Sequence, residues 1–300
     1  MATPGNSTPG GKNPGKKDRR EAAREKARLD REAERKRVRR NRLFLQGGVG
    51  IAVIAIAAIV MLVIVNQPKP VELSTNAGGP LNMASDGILL SGPDLAAVPT
   101  PAIAAGGKPT PTKQDRSKLN IVTYIDYQCP FCQQFETTNN AQLKELVSSG
   151  AATLEIHPIA NLDRSSQRTM YSTRAANAAA CVANYDPDNF FAVNAALFAN
   201  QPPENTPGLS DDELISILSK AGPSSNKISA CVKTQEFSTW VGQETQRTRG
   251  TTIPNSNLTT PPNGLATPTV IVNGVVWKPK GNDLTDTTAF TRFLATVPTE

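Results

Sequence analysis

Hydrophobic residues occur along this chain in three patterns, and each pattern predicts a different kind of element. An uninterrupted apolar run fills most of residues 43–67, which contain no charged residue. Alternating, β-branched residues at 119–125 predict a half-buried strand. Residues 133–149 carry apolar side chains near helical spacing and end before Gly150, which predicts a helix with a glycine at its C-terminal cap. We therefore expect one membrane-type segment and a mixed α/β domain.

Four further segments predict strands. Residues 88–90 form a short apolar run that suggests an outlying strand, and residues 153–156 alternate apolar and polar side chains. Near the C-terminus, residues 269–272 and 275–277 flank Asn273-Gly274, which is the strongest short-range signal of a β-hairpin. The last two strands are therefore expected to pair with each other in antiparallel fashion.

A long helical region separates the strand at 153–156 from the hairpin. Its first helix is rich in alanine, and another follows the capping box Ser210–Glu213. The helix candidates are 171–183, 190–199, the segment through Leu218, 228–241 and, after the hairpin, 285–295. The expected order is therefore strand, helix, strand, several helices, hairpin and final helix.

The distribution of charged residues on the two sides of the apolar run predicts its orientation in a membrane. Its length can span a bilayer, and the forty-odd residues before it are long for the n-region of a cleaved signal peptide. No A-x-A pattern follows it, so a retained anchor is favoured over a signal peptide. Residues 1–46 hold 15 Lys/Arg and 6 Asp/Glu, whereas the rest holds 17 and 20. Because positive charge marks the cytoplasmic flank, the N-terminus should lie in the cytoplasm and the domain outside the cell membrane.

The chain is expected to contain four parts. They are a basic cytoplasmic tail (1–42), a single transmembrane helix (43–67), a tether (68–82) and a domain (83–300). Within the tail, residues 1–20 are rich in Gly, Pro and Lys and are predicted to be disordered. Glu and Ala interleave with Arg in the rest of the tail, which indicates a charged helix or a disordered arm beside anionic lipid headgroups. We expect no nucleic-acid partner.

The main candidate for chemistry is Cys129-Pro130-Phe131-Cys132, which lies directly after one predicted strand and opens a predicted helix. The free N–H groups and dipole of a helix N-terminus favour a thiolate, and a second thiol three residues later can resolve a mixed disulfide. A zinc site would need nearby ligands, but Cys181, Cys231 and His157 are distant in sequence. Haem attachment would need a histidine where Gln133 stands. Redox chemistry is therefore favoured over a metal site or a purely structural disulfide.

Cys181 and Cys231 lie on two predicted helices and make the cysteine count even. They could be a second redox pair or a structural disulfide. Apolar neighbours such as Val182 and Val232 argue against stabilisation of a thiolate. A structural bridge would close a loop of about 50 residues and stabilise the domain by roughly 3–4 kcal/mol in the chain-entropy model. We predict the structural bridge, which would persist outside the cytoplasm.

This order of elements, with these motifs, resembles the thioredoxin superfamily, and in particular its DsbA-like branch. The resemblance covers residues 84–297, and its specific parts are residues 125–132 and 267–269. With the anchor included, the chain is similar to membrane-tethered DsbA-like proteins of actinobacteria. The resemblance implies an α/β thioredoxin fold with a helical subdomain inserted at about 165–247.

The resemblance also implies roles for individual residues. Cys129 would be the exposed nucleophile, Cys132 the buried resolving thiol and Pro268 the cis-proline opposite them. Pro268 directly precedes a predicted strand, and X-Pro bonds are where cis peptides occur. An ordinary trans proline at a strand start is the alternative. The supporting positions are Pro130, Phe131, Thr267 and Asp126.

One position departs from the family pattern. Many relatives carry a buried carboxylate six residues before the first cysteine, where this chain has Thr123. The nearest acid is Asp126, expected on the opposite strand face, and Glu155 is another candidate, so the general base is left unassigned. His157 is the only histidine. It is expected to be a packed or surface imidazole at a strand end.

The favoured function is an extracytoplasmic thiol–disulfide oxidoreductase that donates disulfides to thiols of secreted proteins or peptides, with no cofactor. The resemblance implies that a membrane redox partner of DsbB type or vitamin K epoxide reductase type reoxidises it. Pro-aromatic pairs also occur in glutaredoxin-like sites, so an extracytoplasmic reductase or isomerase is an alternative. The second alternative is a non-catalytic thioredoxin-like binding module in which Cys129 and Cys132 are inert.

Overall fold

The computed structural model describes residues 15–65, 72–223 and 225–299 and divides the chain into two compact units, residues 1–67 and 68–300. In the described part of the first unit, residues Lys16–Val65 form helix α1. The disorder predicted for residues 1–14 lies outside the described residues. It is wrong for residues 16–20, because the Lys, Arg, Glu and Ala that follow are good helix formers.

The C-terminal part of α1 is apolar around its whole circumference. Its large side chains are exposed, as for Ile54 and Met61, which are 71% and 69% accessible. Among the described residues, α1 is the one helix long and apolar enough to cross a membrane. A helix whose apolar side chains are exposed on all sides is suited to a lipid environment. The last two residues of the predicted span, 66 and 67, are outside the described part.

The second unit is built on a six-stranded mixed sheet. Its strands are β1 (Ile88–Ser91), β2 (Ala96–Ala97), β3 (Leu119–Ile125), β4 (Ala152–Pro158), β5 (Thr269–Val272) and β6 (Val275–Val276). Its helices are α2 (Pro130–Ser148), α3 (Tyr171–Tyr185), α4 (Phe190–Ala199), α5 (Asp211–Lys220), α6 (Asn226–Thr234), α7 (Ser238–Arg247) and α8 (Thr287–Leu294). Short 3₁₀ turns occupy Asp163–Ser165, Pro187–Asn189 and Asp283–Thr285.

The strand order in the sheet is β2-β1-β4-β3-β5-β6. Strands β3 and β4 are parallel and are joined through α2, whereas β1, β5 and β6 pair with their neighbours in antiparallel fashion. This β–α–β unit followed by helices and a hairpin is the arrangement expected from the sequence, and the predicted α/β fold class is confirmed.

Strand β3 is buried on both faces, so the prediction of a half-buried strand is wrong. Alternate residues of a strand point to opposite sides of the sheet. Ile121 and Ile125 enter the main core, whereas Val122 and Tyr124 enter a second cluster with Ile253. The segment between α7 and β5 supplies this second cover, and its apolar residues are too scattered in the sequence to predict a packing element.

Two strand predictions change or gain detail. The segment predicted as an outlying strand forms β1, but it lies inside the sheet between β2 and β4, so the predicted outlying position is wrong. An interior position suits this strand because its side chains Ile88 and Leu90 are fully buried. The hairpin forms as predicted, with Asn273 and Gly274 at φ angles of 45° and 85°. Asn and Gly tolerate this left-handed region, which the two-residue hairpin turn requires.

Helices α3 to α7 lie between β4 and β5 in the chain. Helix α3 is buried along almost its whole length, and its many alanines allow the neighbouring helices to pack closely. The prediction of one helix over 228–241 is wrong, because Gln235 adopts a left-handed φ of 52° and ends α6. The backbone N–H groups of Gln235 and Glu236 then bond back to Val232 and Cys231, which satisfies the last carbonyls of α6. Helix α7 begins three residues later.

The segment predicted as a tether is described from Glu72 onward, and there it is docked on the helices. The backbone N–H of Ser74 bonds to Ser238 Oγ at 3.0 Å, and the N–H of Leu81 bonds to Asn184 Oδ1 at 2.9 Å. At Gly79, a Cβ atom would lie only 2.7 Å from the Trp240 ring nitrogen, so the close approach requires glycine. This segment is part of the folded domain.

Candidate active site

The two cysteines of the C-x-x-C motif lie where strand β3 gives way to helix α2. Cys129 is the N-cap residue with an extended backbone (φ −79°, ψ 117°), and Pro130 occupies the first turn. Proline fits there because the first helical N–H groups have no partner within the helix. No acidic residue lies in the first turn of α2, so nothing there opposes the positive end of the helix dipole. The Cys129 sulfur therefore lies at a site that favours negative charge.

Cys129 is less accessible than the family resemblance implied. It is 4% exposed, Cys132 is fully buried, and Phe131 between them is 58% exposed. The expectation of an exposed Cys129 is wrong because the chain before β5 lies against it. Its Sγ atom is 3.3 Å from the Thr267 carbonyl oxygen, to which the protonated form of the thiol donates a hydrogen bond. A partner must therefore approach this sulfur beside Phe131 and the Thr267 backbone.

The pKa values of the two thiols move in opposite directions. The pKa of Cys129 is lowered to about 6, and the largest cause is a hydrogen bond with the Cys132 side chain. Hydrogen bonds with the Thr267 side chain and with the backbone N–H groups of Cys132 and Phe131 lower this pKa by smaller amounts. Burial opposes this shift. Burial is the main cause that raises the pKa of Cys132 well above its ordinary value. In the reduced protein at neutral pH, Cys129 is therefore a thiolate beside a protonated Cys132.

This pairing links the stability of the reduced protein to pH. The folded-state pKa of Cys129 lies below the ordinary thiol value, so the thiolate stabilises the fold when the pH is above that ordinary value. This contribution declines as the pH falls and is lost below about 6. A protein whose reduced form is stabilised in this way is a stronger oxidant when its cysteines are joined.

The Thr267–Pro268 peptide bond is cis, so the alternative of a trans proline does not hold. Pro268 immediately precedes β5, whose first residue Thr269 pairs with Tyr124 of β3. Strand β3 leads directly to the cysteines, so this pairing brings Thr267 and Pro268 alongside Cys129.

Asp126 is fully buried below the cysteines and accepts four hydrogen bonds. The donors are the backbone N–H groups of Gln128 (2.8 Å), Asn161 (2.8 Å) and Leu162 (2.9 Å) and the hydroxyl of Ser172 (2.7 Å). Burial raises the pKa of Asp126 to about 7, although these hydrogen bonds act in the opposite direction. Its backbone N–H lies 3.4 Å from the Cys132 sulfur. Asp126 thus joins the cysteine turn, helix α3 and the loop after β4.

The other candidate bases have different surroundings. Thr123 is fully buried, and its hydroxyl has no hydrogen-bond partner within the described residues. Glu155 accepts hydrogen bonds from Ser85 and Thr112 and lies 3.3 Å from His157. His157 is packed, with its ring stacked on Tyr124 at 4.4 Å. Glu155 and His157 thus form a cluster with the segments before β1 and β3. In the described residues, no group of three or more His, Cys, Asp or Glu could hold a metal ion.

Glu136 is a buried carboxyl group that the sequence reasoning missed. It lies one helical turn after Cys132, is 3% exposed and accepts a hydrogen bond from Asn194 at 2.9 Å. Asn194 in turn accepts a hydrogen bond from Tyr127 at 3.0 Å. Burial raises the pKa of Glu136 to about 7. The i, i+4 spacing from Cys132 could have revealed it, because such residues share one helix face.

Gln201 is a second missed residue. Its side-chain amide donates hydrogen bonds to the carbonyl oxygens of Tyr127 and Cys129, both at 3.0 Å. It therefore holds the cysteine turn from the end of α4. No sequence signal marks it, because the contact joins segments more than 70 residues apart.

Known proteins resemble this chain in sequence and in structure. Residues 114–288, more than half of the chain, match the family described as thioredoxin. The reduced disulfide bond oxidoreductase DsbG of Mycobacterium tuberculosis is 27% identical with a TM-score of 0.50, and the match covers 71% of this chain and 89% of that one. Reduced DsbA of the same organism is 26% identical with a TM-score of 0.49, covering 70% and 98%. The thiol–disulfide oxidoreductase MdbA of Actinomyces oris is 20% identical with a TM-score of 0.45, covering 61% and 84%. No curated protein sequence matches this chain.

Proposed function

This chain belongs to the thioredoxin family, and on that premise we propose that it is a thiol–disulfide oxidoreductase that donates disulfides to secreted proteins. The observation that carries the proposal is the unequal pair at the start of α2. Cys129 has a lowered pKa, whereas the pKa of Cys132 is raised. The 27% identity to a disulfide bond oxidoreductase supports the same chemistry.

The reaction starts from the Cys129–Cys132 disulfide. A substrate thiolate attacks the Cys129 sulfur, the bond to Cys132 breaks, and Cys132 leaves and takes a proton. The second substrate thiolate then attacks the substrate sulfur in the mixed disulfide, and Cys129 leaves as a thiolate. The substrate dithiol loses two electrons and the protein gains them. A low pKa makes Cys129 a good leaving group, so the second step runs in the oxidising direction.

The reduction potential of the Cys129–Cys132 pair tests the direction of this reaction. We expect a value toward about −120 mV, as in DsbA, and not near the −270 mV of thioredoxin, because the Cys129 thiolate stabilises the reduced form. Equilibration with glutathione buffers, followed by mass spectrometry of the alkylated protein, gives the value. A potential near that of thioredoxin would favour the reductase or isomerase. Failure of the oxidised protein to oxidise any dithiol peptide would favour a binding module.

The proposed location is the outer face of the cell membrane, with α1 as a single-pass anchor. Two features support it: the apolar, exposed half of α1, and the Cys181–Cys231 disulfide, a kind of bond that persists in oxidising compartments. The reduced Cys129 and Cys132 must pass two electrons to an acceptor after each turnover. A membrane redox partner of DsbB type or vitamin K epoxide reductase type would accept them.

Protease accessibility tests this topology. In intact spheroplasts, added protease should digest the chain beyond about residue 70 and spare a fragment with the basic tail and span, since Lys/Arg-rich flanks stay in the cytoplasm. An antibody to an N-terminal tag detects that fragment. Detergent-treated spheroplasts, in which the tail is also digested, serve as the control. Protection of the domain in intact spheroplasts would contradict the proposed orientation.

A further inference from the structure

We propose that Asn161 is a positioning residue that holds residues 264–268, here called the Pro268 loop, against Cys129. The proposal rests on the proposed function, because disulfide exchange places a substrate sulfur between this loop and the Cys129 sulfur. The Thr267 carbonyl oxygen lies 3.3 Å from Cys129 Sγ. A small shift of the loop would therefore change the space in which a substrate must align, and misplacement of reacting groups is costly in rate.

The connection starts at the cysteine turn. The buried carboxylate of Asp126 accepts the backbone N–H of Gln128 at 2.8 Å, which fixes the residue directly before Cys129. Its other oxygen accepts the backbone N–H of Asn161 at 2.8 Å. Asp126 is completely inaccessible to water, so these hydrogen bonds lack a solvent competitor and orient the loop after β4 strongly.

The connection then crosses to the Pro268 loop. The side-chain Nδ2 of Asn161 donates a hydrogen bond to the Leu265 carbonyl oxygen at 2.6 Å. Leu265 lies two residues before Thr267, so Asp126 and Asn161 together link the two backbone segments that enclose the Cys129 sulfur. Leu265 is itself buried in the second hydrophobic cluster, which gives the loop one further attachment.

Within the described residues, the Asn161 side chain makes one hydrogen bond, the one to the Leu265 carbonyl oxygen. Its Oδ1 atom is buried and accepts no hydrogen bond within the part of the chain that the structure describes. The residue lies outside the strands and the main hydrophobic core and is half-buried. Its backbone N–H, which contacts Asp126, is present whatever the side chain. Substitution at this position therefore removes the link to Leu265 and leaves the Asp126 hub in place.

The test compares Asn161→Ala and Asn161→Leu with Gln142→Ala. Gln142 is a matched control: it is half-buried, its amide donates one long-range hydrogen bond, to Thr291 Oγ1 at 2.8 Å, and its Oε1 has no partner among the described residues. Three quantities are measured on each folded protein: the oxidation rate of a dithiol peptide, the alkylation rate of reduced Cys129 by iodoacetamide, and hydrogen exchange of the Gly264 backbone N–H, which donates a hydrogen bond to the Pro261 carbonyl oxygen at 3.0 Å.

Both Asn161 variants should oxidise the peptide about tenfold more slowly, because one positioning hydrogen bond is lost. Alkylation should be unchanged or faster, since a small reagent needs no alignment by the loop. Hydrogen exchange of the Gly264 N–H should speed up by about tenfold, because its hydrogen bond to Pro261 depends on the position of the loop, while β5 stays protected. Gln142→Ala should match the wild type in all three.

Unchanged hydrogen exchange of the Gly264 N–H in both Asn161 variants would overturn the inference. So would slower peptide oxidation with an equal slowing of alkylation, which would indicate damage to Cys129 itself. If the wild type oxidises no dithiol peptide, the proposed function fails, and hydrogen exchange alone decides whether Asn161 holds the loop.

Discussion

Replacing Cys132 with Ala is expected to convert the protein into a trap that accumulates mixed disulfides on Cys129. Cys132 is fully buried and its pKa is raised, so it is the inner sulfur of the Cys129–Cys132 disulfide and is not the sulfur that a substrate attacks. When Cys132 is absent, the Cys129 thiolate can still attack a substrate disulfide, whose S–S bond breaks as the second substrate sulfur leaves as a thiolate. The variant then has no Cys132 thiol to displace the substrate from the mixed disulfide. The variant should carry substrate-linked species stable on non-reducing gels, and the yield of free oxidised substrate should fall by about a hundredfold or more.

Cys129→Ala is the matched control for this trap. It removes the thiol with the low pKa and leaves Cys132, which is fully buried and less able to reach a substrate. Far fewer mixed disulfides should form with this variant. Cys181 and Cys231 can stay in place, because their sulfur atoms are already joined. Equal trapping by the two single variants would show that the roles of Cys129 and Cys132 are not divided in this way.

Removing the second disulfide should have a large effect on stability and a small one on catalysis. Cys181 and Cys231 join α3 to α6, with Cα atoms 5.9 Å apart, and enclose 50 residues of sequence separation. In the chain-entropy model the double replacement Cys181→Ala with Cys231→Ala should cost about 3–4 kcal/mol in the free energy of unfolding. Urea unfolding, followed by circular dichroism, measures the loss. The melting temperature should fall by about 10 °C.

Activity separates a structural bridge from a redox role. The double variant should oxidise a dithiol peptide at nearly the wild-type rate at a temperature where it is still folded. A second double variant, Cys181→Val with Cys231→Ala, replaces more of the buried volume and should recover part of the stability. If peptide oxidation disappeared in either variant while circular dichroism still showed the native fold, the structural assignment would be wrong.

The features predictable from the sequence are those that local chemistry determines. The C-x-x-C motif between a β-branched run and a helical run placed Cys129 at a helix N-terminus. Asn273-Gly274 gave the hairpin because few other residues accept two left-handed positions in succession. The capping box gave α5, whose Ser210 side chain accepts the N–H of Glu213. In each case the determining residues lie within a few positions of one another.

The features that escaped prediction depend on contacts between distant segments. The burial of Cys129 comes from Thr267, which is 138 residues away in sequence. The second cover on β3 comes from residues after α7, and the link through Asn161 reaches Leu265 over 104 residues. The spacing of hydrophobic residues does not indicate such pairs, because each partner, taken alone, has the sequence features of an ordinary loop residue. The break at Gln235 was missed for a related reason: the backbone conformation there is rare for glutamine, and composition does not signal it.

The burial of the bridge between α3 and α6 also fixes an order of events in the maturation of the protein. Cys181 and Cys231 are 0% and 1% exposed, so in the finished domain no external thiol can reach either sulfur atom. Their bond must form while the two helices can still separate, before the surrounding side chains close over it. Once closed, it is kinetically insulated from the exchange reactions at Cys129. A newly made copy is therefore itself a substrate of disulfide formation while it folds.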